Sequence, residues 1–132
     1  MSKGNVKGLS HIGIMVKDLD ASVDFYKRLG FVLDNEESIP ARNVRLAFMS
    51  AGTCLIELVE RADYEPRPAG VVDHIALEVD DIDAAVASAN EKGISINAAE
   101  INAANILGGI RNVFFVGPDG ERLEFFEYAP KV

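Results

Sequence analysis

The chain has a single cysteine, only two histidines, too few basic residues to balance its acids, and no long apolar run. Cys54 has no internal partner for a disulfide, which fits a reducing, cytoplasmic setting. It sits inside an apolar stretch and reads as packing rather than as a nucleophile. Lys and Arg total 13 against 21 Asp and Glu, for a net charge of −8 and a pI near 4.7. That balance argues against a nucleic-acid partner, whose recognition needs a basic face. No stretch approaches the ~20 apolar residues of a membrane span, and the opening MSKGNVKG lacks the apolar run of a signal peptide. What remains is a 132-residue chain, 48% hydrophobic, which has the size and apolar content for one domain with a substantial core.

The organising feature is a repeat. HIGIMVKDLDASV, from His11 to Val23, returns 63 positions later as HIALEVDDIDAAV, from His74 to Val86. The register persists to Gly30 and Gly93. A unit of nearly half the chain implies two similar modules within one domain, not a solenoid. Module one covers about residues 7–60, a polar connector with two prolines covers 61–70, and module two covers about 71–128.

Leu9 to Val16 alternates as a strand. Asp18 and Asp20 offer N-cap chemistry, Ala21 to Leu29 carries a helical apolar stripe, and Gly30 supplies a C-cap. Strands are expected over Phe31 to Asn35, Asn43 to Ser50 and Thr53 to Glu60. Module two repeats the order: a strand over Val72 to Val79, a helix over Ile82 to Lys92, then strands over Ile94 to Ala98, Arg111 to Val116 and Glu121 to Tyr128. Ala99 to Gly109 is weakly patterned and reads as a loop. The fold class is α+β, with strand, helix and three strands in each module.

Alternation places Ile12, Ile14 and Val16, and their counterparts Ile75, Leu77 and Val79, toward a core. His11 and His74 then point to the other face, beside the small residues Gly13 and Ala76. The last strand of each module behaves alike: LIELVE and LEFFE align Glu57 with Glu124 and Glu60 with Glu127, and Glu57 and Glu124 point away from the apolar rows. Any one of these residues alone reads as an ordinary strand residue. Two histidines and two glutamates at repeat-equivalent points read instead as metal ligands, because a sheathed carboxylate is costly unless paired or ligating. Mixed nitrogen and oxygen donors suit Zn, Ni, Co, Mn or Fe better than Ca or Mg.

These stretches, together with the closing GPDGERLEF, resemble the vicinal oxygen chelate superfamily over about Val6 to Tyr128. That superfamily includes glyoxalase I, methylmalonyl-CoA epimerases, fosfomycin-resistance proteins, extradiol dioxygenases and bleomycin-binding proteins. The resemblance implies paired βαβββ modules forming a curled mixed sheet around a metal cup, commonly within a homodimer. It implies one divalent ion per site, with Ni or Zn first and Co, Mn or Fe as alternatives, held by His11, Glu57, His74 and Glu124. Glutamate at position 57 is most similar to bacterial glyoxalase I (lactoylglutathione lyase). Met15, however, stands where that enzyme carries an arginine contacting the glutathione carboxylate, so the likeness does not extend to the thiol carrier.

The chemistry so implied is that of a lyase or isomerase. A proton is moved next to a carbonyl through a metal-bound enediolate, on a substrate such as the thiol hemithioacetal of a 2-oxoaldehyde. The resemblance points to Glu124 as the base, with Glu57 as ligand or second proton carrier. Arg45, Arg111 and Arg122 are candidates for anchoring a substrate carboxylate or phosphate, and solvated surface arginines are the alternative for each. Residues 106–111 read either as a lid or as a plain connection. Three other functions stand beside the lyase: an epimerase of a CoA thioester using Glu36 or Glu37 as a second base, a metal-dependent antibiotic-resistance thiol transferase, and a non-enzymatic small-molecule binder.

Overall fold

The computed structural model describes residues 4, 9–66, 70, 72 and 74–130. Residues 67–69 of the expected 61–70 connector, and the expected module boundaries near 7 and 71, lie outside these residues. Module one contains β1 (Ile12–Val16), α1 (Leu19–Leu29), β2 (Val32–Ile39), β3 (Val44–Ala51) and β4 (Cys54–Arg61). Module two contains β5 (Ile75–Glu78), α2 (Ile82–Glu91), β6 (Asn102–Ala104), β7 (Ile110–Val116) and β8 (Arg122–Tyr128).

The repeat sets the local structure twice. Asp18 and Asp81 are the N-caps of α1 and α2, each accepting from the backbone N–H three residues on, at Ala21 and Ala84. Glu60 and Glu127 reach the same ends from β4 and β8, accepting from the Leu19 and Ile82 N–H groups at 2.7 Å. Helix α1 stops at Gly30, whose φ of 115° lies in the left-handed region that a glycine adopts without penalty.

Each module folds its strands into a four-stranded mixed sheet, in the orders β1-β4-β3-β2 and β5-β8-β7-β6. In both sheets the first strand pairs in parallel with the last, and the remaining pairs are antiparallel. Two mixed sheets with helices give the expected α+β fold of paired βαβββ modules. Among the described residues β1 and β5 are outer strands that do not pair with each other, so the two sheets stay separate.

The modules are joined through side chains instead. One hydrophobic cluster runs through both, from Val16, Tyr26 and Leu58 to Ile82, Leu123 and Phe125. Three polar clips cross the boundary. The Tyr26 hydroxyl donates to Glu121 at 2.9 Å, the Lys17 N–H to Asp119 at 3.1 Å, and the Arg28 guanidinium to the Lys92 carbonyl at 3.1 Å. Burial pushes the Tyr26 hydroxyl pKa well above its ordinary value, with the Glu121 carboxylate adding to the shift, so this clip stays protonated.

One strand lies elsewhere than expected. Ile94 and Ile96 are buried in the core, but their segment is not a strand. The Asn90 side chain of α2 donates to the Ile96 carbonyl and accepts from its N–H, both at 2.9 Å, and so replaces a sheet partner. The second strand of module two, the first after α2, is β6, within the stretch expected to be a loop.

Candidate metal centre

The parallel pairing of β1 with β4 sets Gly13 opposite Glu57, and that of β5 with β8 sets Ala76 opposite Glu124. The residue before each strand is the histidine, so each His and Glu share the face turned away from the helices. His11 Nε2 lies 3.6 Å from Glu57 Oε1, and His74 Nε2 lies 3.3 Å from Glu124 Oε1. Gly13 leaves room beside the Glu57 carboxylate, where an added Cβ would sit 3.8 Å from Oε1.

The structure therefore brings together two pairs, not four residues. Among the described residues no group of three or more His, Cys, Asp or Glu converges where it could hold a metal ion.

Each pair nevertheless fits half of a divalent site. Two ligands at about 2.0–2.1 Å from one ion and at a tetrahedral angle stand about 3.3 Å apart, close to both observed separations. Ser10 Oγ lies 3.1 Å from His11 Nδ1, which leaves Nε2 as the nitrogen facing Glu57. An aromatic ring packs edge-on against each imidazole: Phe48 on His11 at 6.0 Å between centroids, and Phe114 on His74 at 5.3 Å. The donor set suits a borderline transition ion.

The two pairs differ in their surroundings. The Glu57 side chain is 22% exposed and that of Glu124 only 6%. Asn112 on β7 donates its amide to Glu124 Oε2 at 2.7 Å. Residue-type patterning singled out only groups that titrate or ligate, so a neutral amide passed unnoticed. The Phe48/Phe114 correspondence was the available signal, because it aligns Leu46 with Asn112.

The three candidate arginines separate into two classes. Arg45 is tied to Asp20 at 3.1 Å and Glu60 at 3.5 Å, and Arg111 to Asp83 at 2.8 Å and Glu127 at 3.7 Å. Both lie on the helix side of their sheets, where they fasten a helix N-terminus to a strand. Their carboxylate partners raise the pKa of both guanidinium groups, and Arg111 holds Asp83 below the usual carboxylate range. Arg122 lies on the ligand-bearing face, stacked 4.6 Å from the centroid of Phe114. Beside it a cleft of about 220 Å³ is lined by Gly13, Met15, Tyr64, His74 and Arg122 among others.

Of the other candidates, Glu36 and Glu37 are exposed on β2, where Glu37 stands opposite Leu46. Cys54 is half-buried, and burial pushes its thiol pKa up, consistent with an unreactive packing role. Residues 106–109 form a turn with Leu107, Gly108 and Gly109 all at positive φ, tied by the Gly109 N–H to the Ile106 carbonyl and by the Ala129 N–H to the Gly109 carbonyl. No helix of the described residues is long and apolar enough to cross a membrane.

Comparison with known proteins agrees with this architecture. The family model described as the Glyoxalase/Bleomycin resistance protein/Dioxygenase superfamily matches residues 8–125. The uncharacterized protein YwbC of Bacillus subtilis is 35% identical over 92% of this chain and 98% of its own length. Human mitochondrial methylmalonyl-CoA epimerase is 30% identical over 74% of this chain, which spans 60% of that protein. The crystal structure of a glyoxalase family protein from Enterococcus faecalis superposes with a TM-score of 0.79 at 27% identity, covering 92% of this chain and 98% of that one.

Proposed function

The chain belongs to the glyoxalase/bleomycin resistance protein/dioxygenase superfamily, whose members are mostly metal-dependent enzymes, and on that premise we propose a lyase or isomerase of the glyoxalase I type. The observation that carries the reading is the pair of His–Glu couples, at equivalent points of two modules, with separations that suit one divalent ion. Each chain offers two half-sites, one on each of two modules that share one core and three clips. A two-fold dimer would complete both. The first-module pair of one copy meets the second-module pair of its partner, and the symmetry makes two complete sites. The expected homodimer is thus part of the proposal, as is a cytoplasmic setting.

In this reading His11, Glu57, His74 and Glu124 are the ligands, for Ni or Zn first and Co, Mn or Fe otherwise. The bound ion supplies Lewis acidity toward the oxygens of a carbonyl substrate. Glu124 takes the carbon-bound proton and returns it to the neighbouring carbon, with Glu57 as ligand and second proton carrier. Burial suits Glu124 to this role, because few waters compete for its proton. Arg122, beside His74 and above Phe114, anchors a substrate carboxylate or phosphate. The staples at Arg45 and Arg111 favour leaving those two residues out of substrate binding.

Likeness to methylmalonyl-CoA epimerase supports a second reading, in which the proton returns to the carbon it left. Glu37 would then be the second base from β2.

The deciding experiment is elemental analysis of protein purified without chelators. Hemithioacetals and CoA thioesters would then be offered to the metal-loaded protein in deuterated water. One ion per site, with deuterium appearing at the neighbouring carbon, supports the lyase; deuterium at the original carbon selects the epimerase. Metal-dependent thiol addition without exchange would identify a resistance-type transferase. Ligand binding that survives chelation, with no ion taken up, overturns the enzyme reading in favour of a binding module.

A further inference from the structure

Glu57 and Glu124 occupy equivalent positions, yet only one is held from behind. Glu124 Oε2 accepts the Asn112 amide at 2.7 Å, and its other oxygen, Oε1, is the one 3.3 Å from His74 Nε2. The amide orientation is itself determined, because Asn112 Oδ1 accepts from Asn102 Nδ2 at 3.3 Å, across the β6–β7 pair. Asn102, Asn112, Glu124 and His74 therefore form one line of polar contacts across module two. In module one the position aligned with Asn112 is Leu46, which has no donor to offer. Among the described residues Glu57 makes its polar side-chain contact with His11 alone.

We infer that Asn112 is a positioning residue. It occupies one oxygen of Glu124 and aims the other toward His74 before any ion arrives, making module two the preorganised half of the site and module one the adaptable half. This rests on the proposed metal-dependent reading and deepens it. A carboxylate with a satisfied outer oxygen and a fixed rotamer loses less freedom on ligation than an exposed one, and such outer-shell donors typically govern affinity by about tenfold or more.

The test uses the full chain in three forms: wild type, Asn112→Leu, which copies the module-one residue and keeps the branched skeleton without the amide, and Asn112→Gln, which keeps an amide donor. Co(II) is the probe, read by its visible absorption and by chelator competition, with the melting midpoint of the metal-free protein as the control for folding. Asn112→Leu is expected to weaken Co(II) binding about tenfold and to change the absorption spectrum. Asn112→Gln should recover most of both. Leu46→Asn, which installs the missing donor at the module-one position aligned with Asn112, diagonal to Glu57 across the β3–β4 pair, should tighten binding and decides the matter if Asn112→Leu does not fold. Wild-type affinity and spectrum in Asn112→Leu, equal losses in the leucine and glutamine variants, or unchanged binding in Leu46→Asn would overturn the inference alone. A wild type that takes up no Co(II) would overturn this inference and the metal reading together.

Discussion

The two modules share one framework and differ in the side chains it carries. Both present a histidine ahead of the first strand and a glutamate on the last, both cap their helix with aspartate, and both fasten it with an arginine and a second glutamate. They differ in what surrounds the glutamate and in what their helices carry. Module two buries its carboxylate and braces it with Asn112, whereas module one leaves its own half open. Module one, in turn, supplies the principal clip between modules, because Tyr26 of α1 corresponds to Ala89 of α2. A duplicated scaffold thus keeps its framework contacts twice, while each contact that serves the joined molecule is needed only once.

The largest effect should come from breaking the equivalence of the glutamates. Glu124→Gln is expected to lower proton exchange on the metal-loaded protein by at least about a hundredfold, and Glu57→Gln by less, as measured by deuterium incorporation. Equal losses would mean that the two carboxylates share the proton work evenly.

The next effect tests whether the halves meet across subunits. His11→Ala and His74→Ala homodimers should each be inactive. Mixing them after reversible unfolding should restore about one quarter of wild-type activity, since half the dimers are mixed and each mixed dimer regains one of two sites. No recovery would place both halves of a site in one chain.

A smaller change is expected at the module boundary. Tyr26→Phe keeps the packing but leaves Glu121 without its phenolic donor, and should cost about 1–2 kcal/mol in denaturant unfolding. An unchanged midpoint would show that the apolar core alone holds the modules together.

The smallest effect concerns Asp83, whose carboxyl is held below its ordinary value of 3.8 chiefly by the hydrogen bonds from Arg111. Because the folded-state pKa is depressed, this contribution is complete above the unfolded value and is lost as pH falls through the folded one. Asp83→Asn should therefore lose slightly less stability than wild type on acidification below about pH 4. The group is fully exposed, so the difference should be small and further reduced by salt.

Much of this was legible in advance because it is local and periodic. Aspartate ahead of an apolar helix stripe marks a cap wherever it occurs, and alternation alone turned Ile56, Leu58, Leu123 and Phe125 inward, where they are buried. The same alternation misplaced a strand at Ile94 to Ala98, since pattern cannot show that Asn90 would satisfy that backbone. It also left Arg45 and Arg111 as substrate candidates, because a charged residue on a strand does not reveal the helix end lying behind it. Asn112 was silent for a related reason: a neutral amide acquires meaning only from the carboxylate it meets.

What the amino-acid order determined by itself was the duplication, the two module architectures, and the face on which each His and Glu would stand. These follow from nearest-neighbour chemistry and from strand and helix periods, which act within a few residues. Only the tertiary structure decided that the two sheets remain separate, that four candidate ligands form two pairs, and that one glutamate is buried and braced while its counterpart is half-buried. Those outcomes depend on how the faces of both modules divide between a shared core and open surface, a competition among distant side chains that no local pattern encodes.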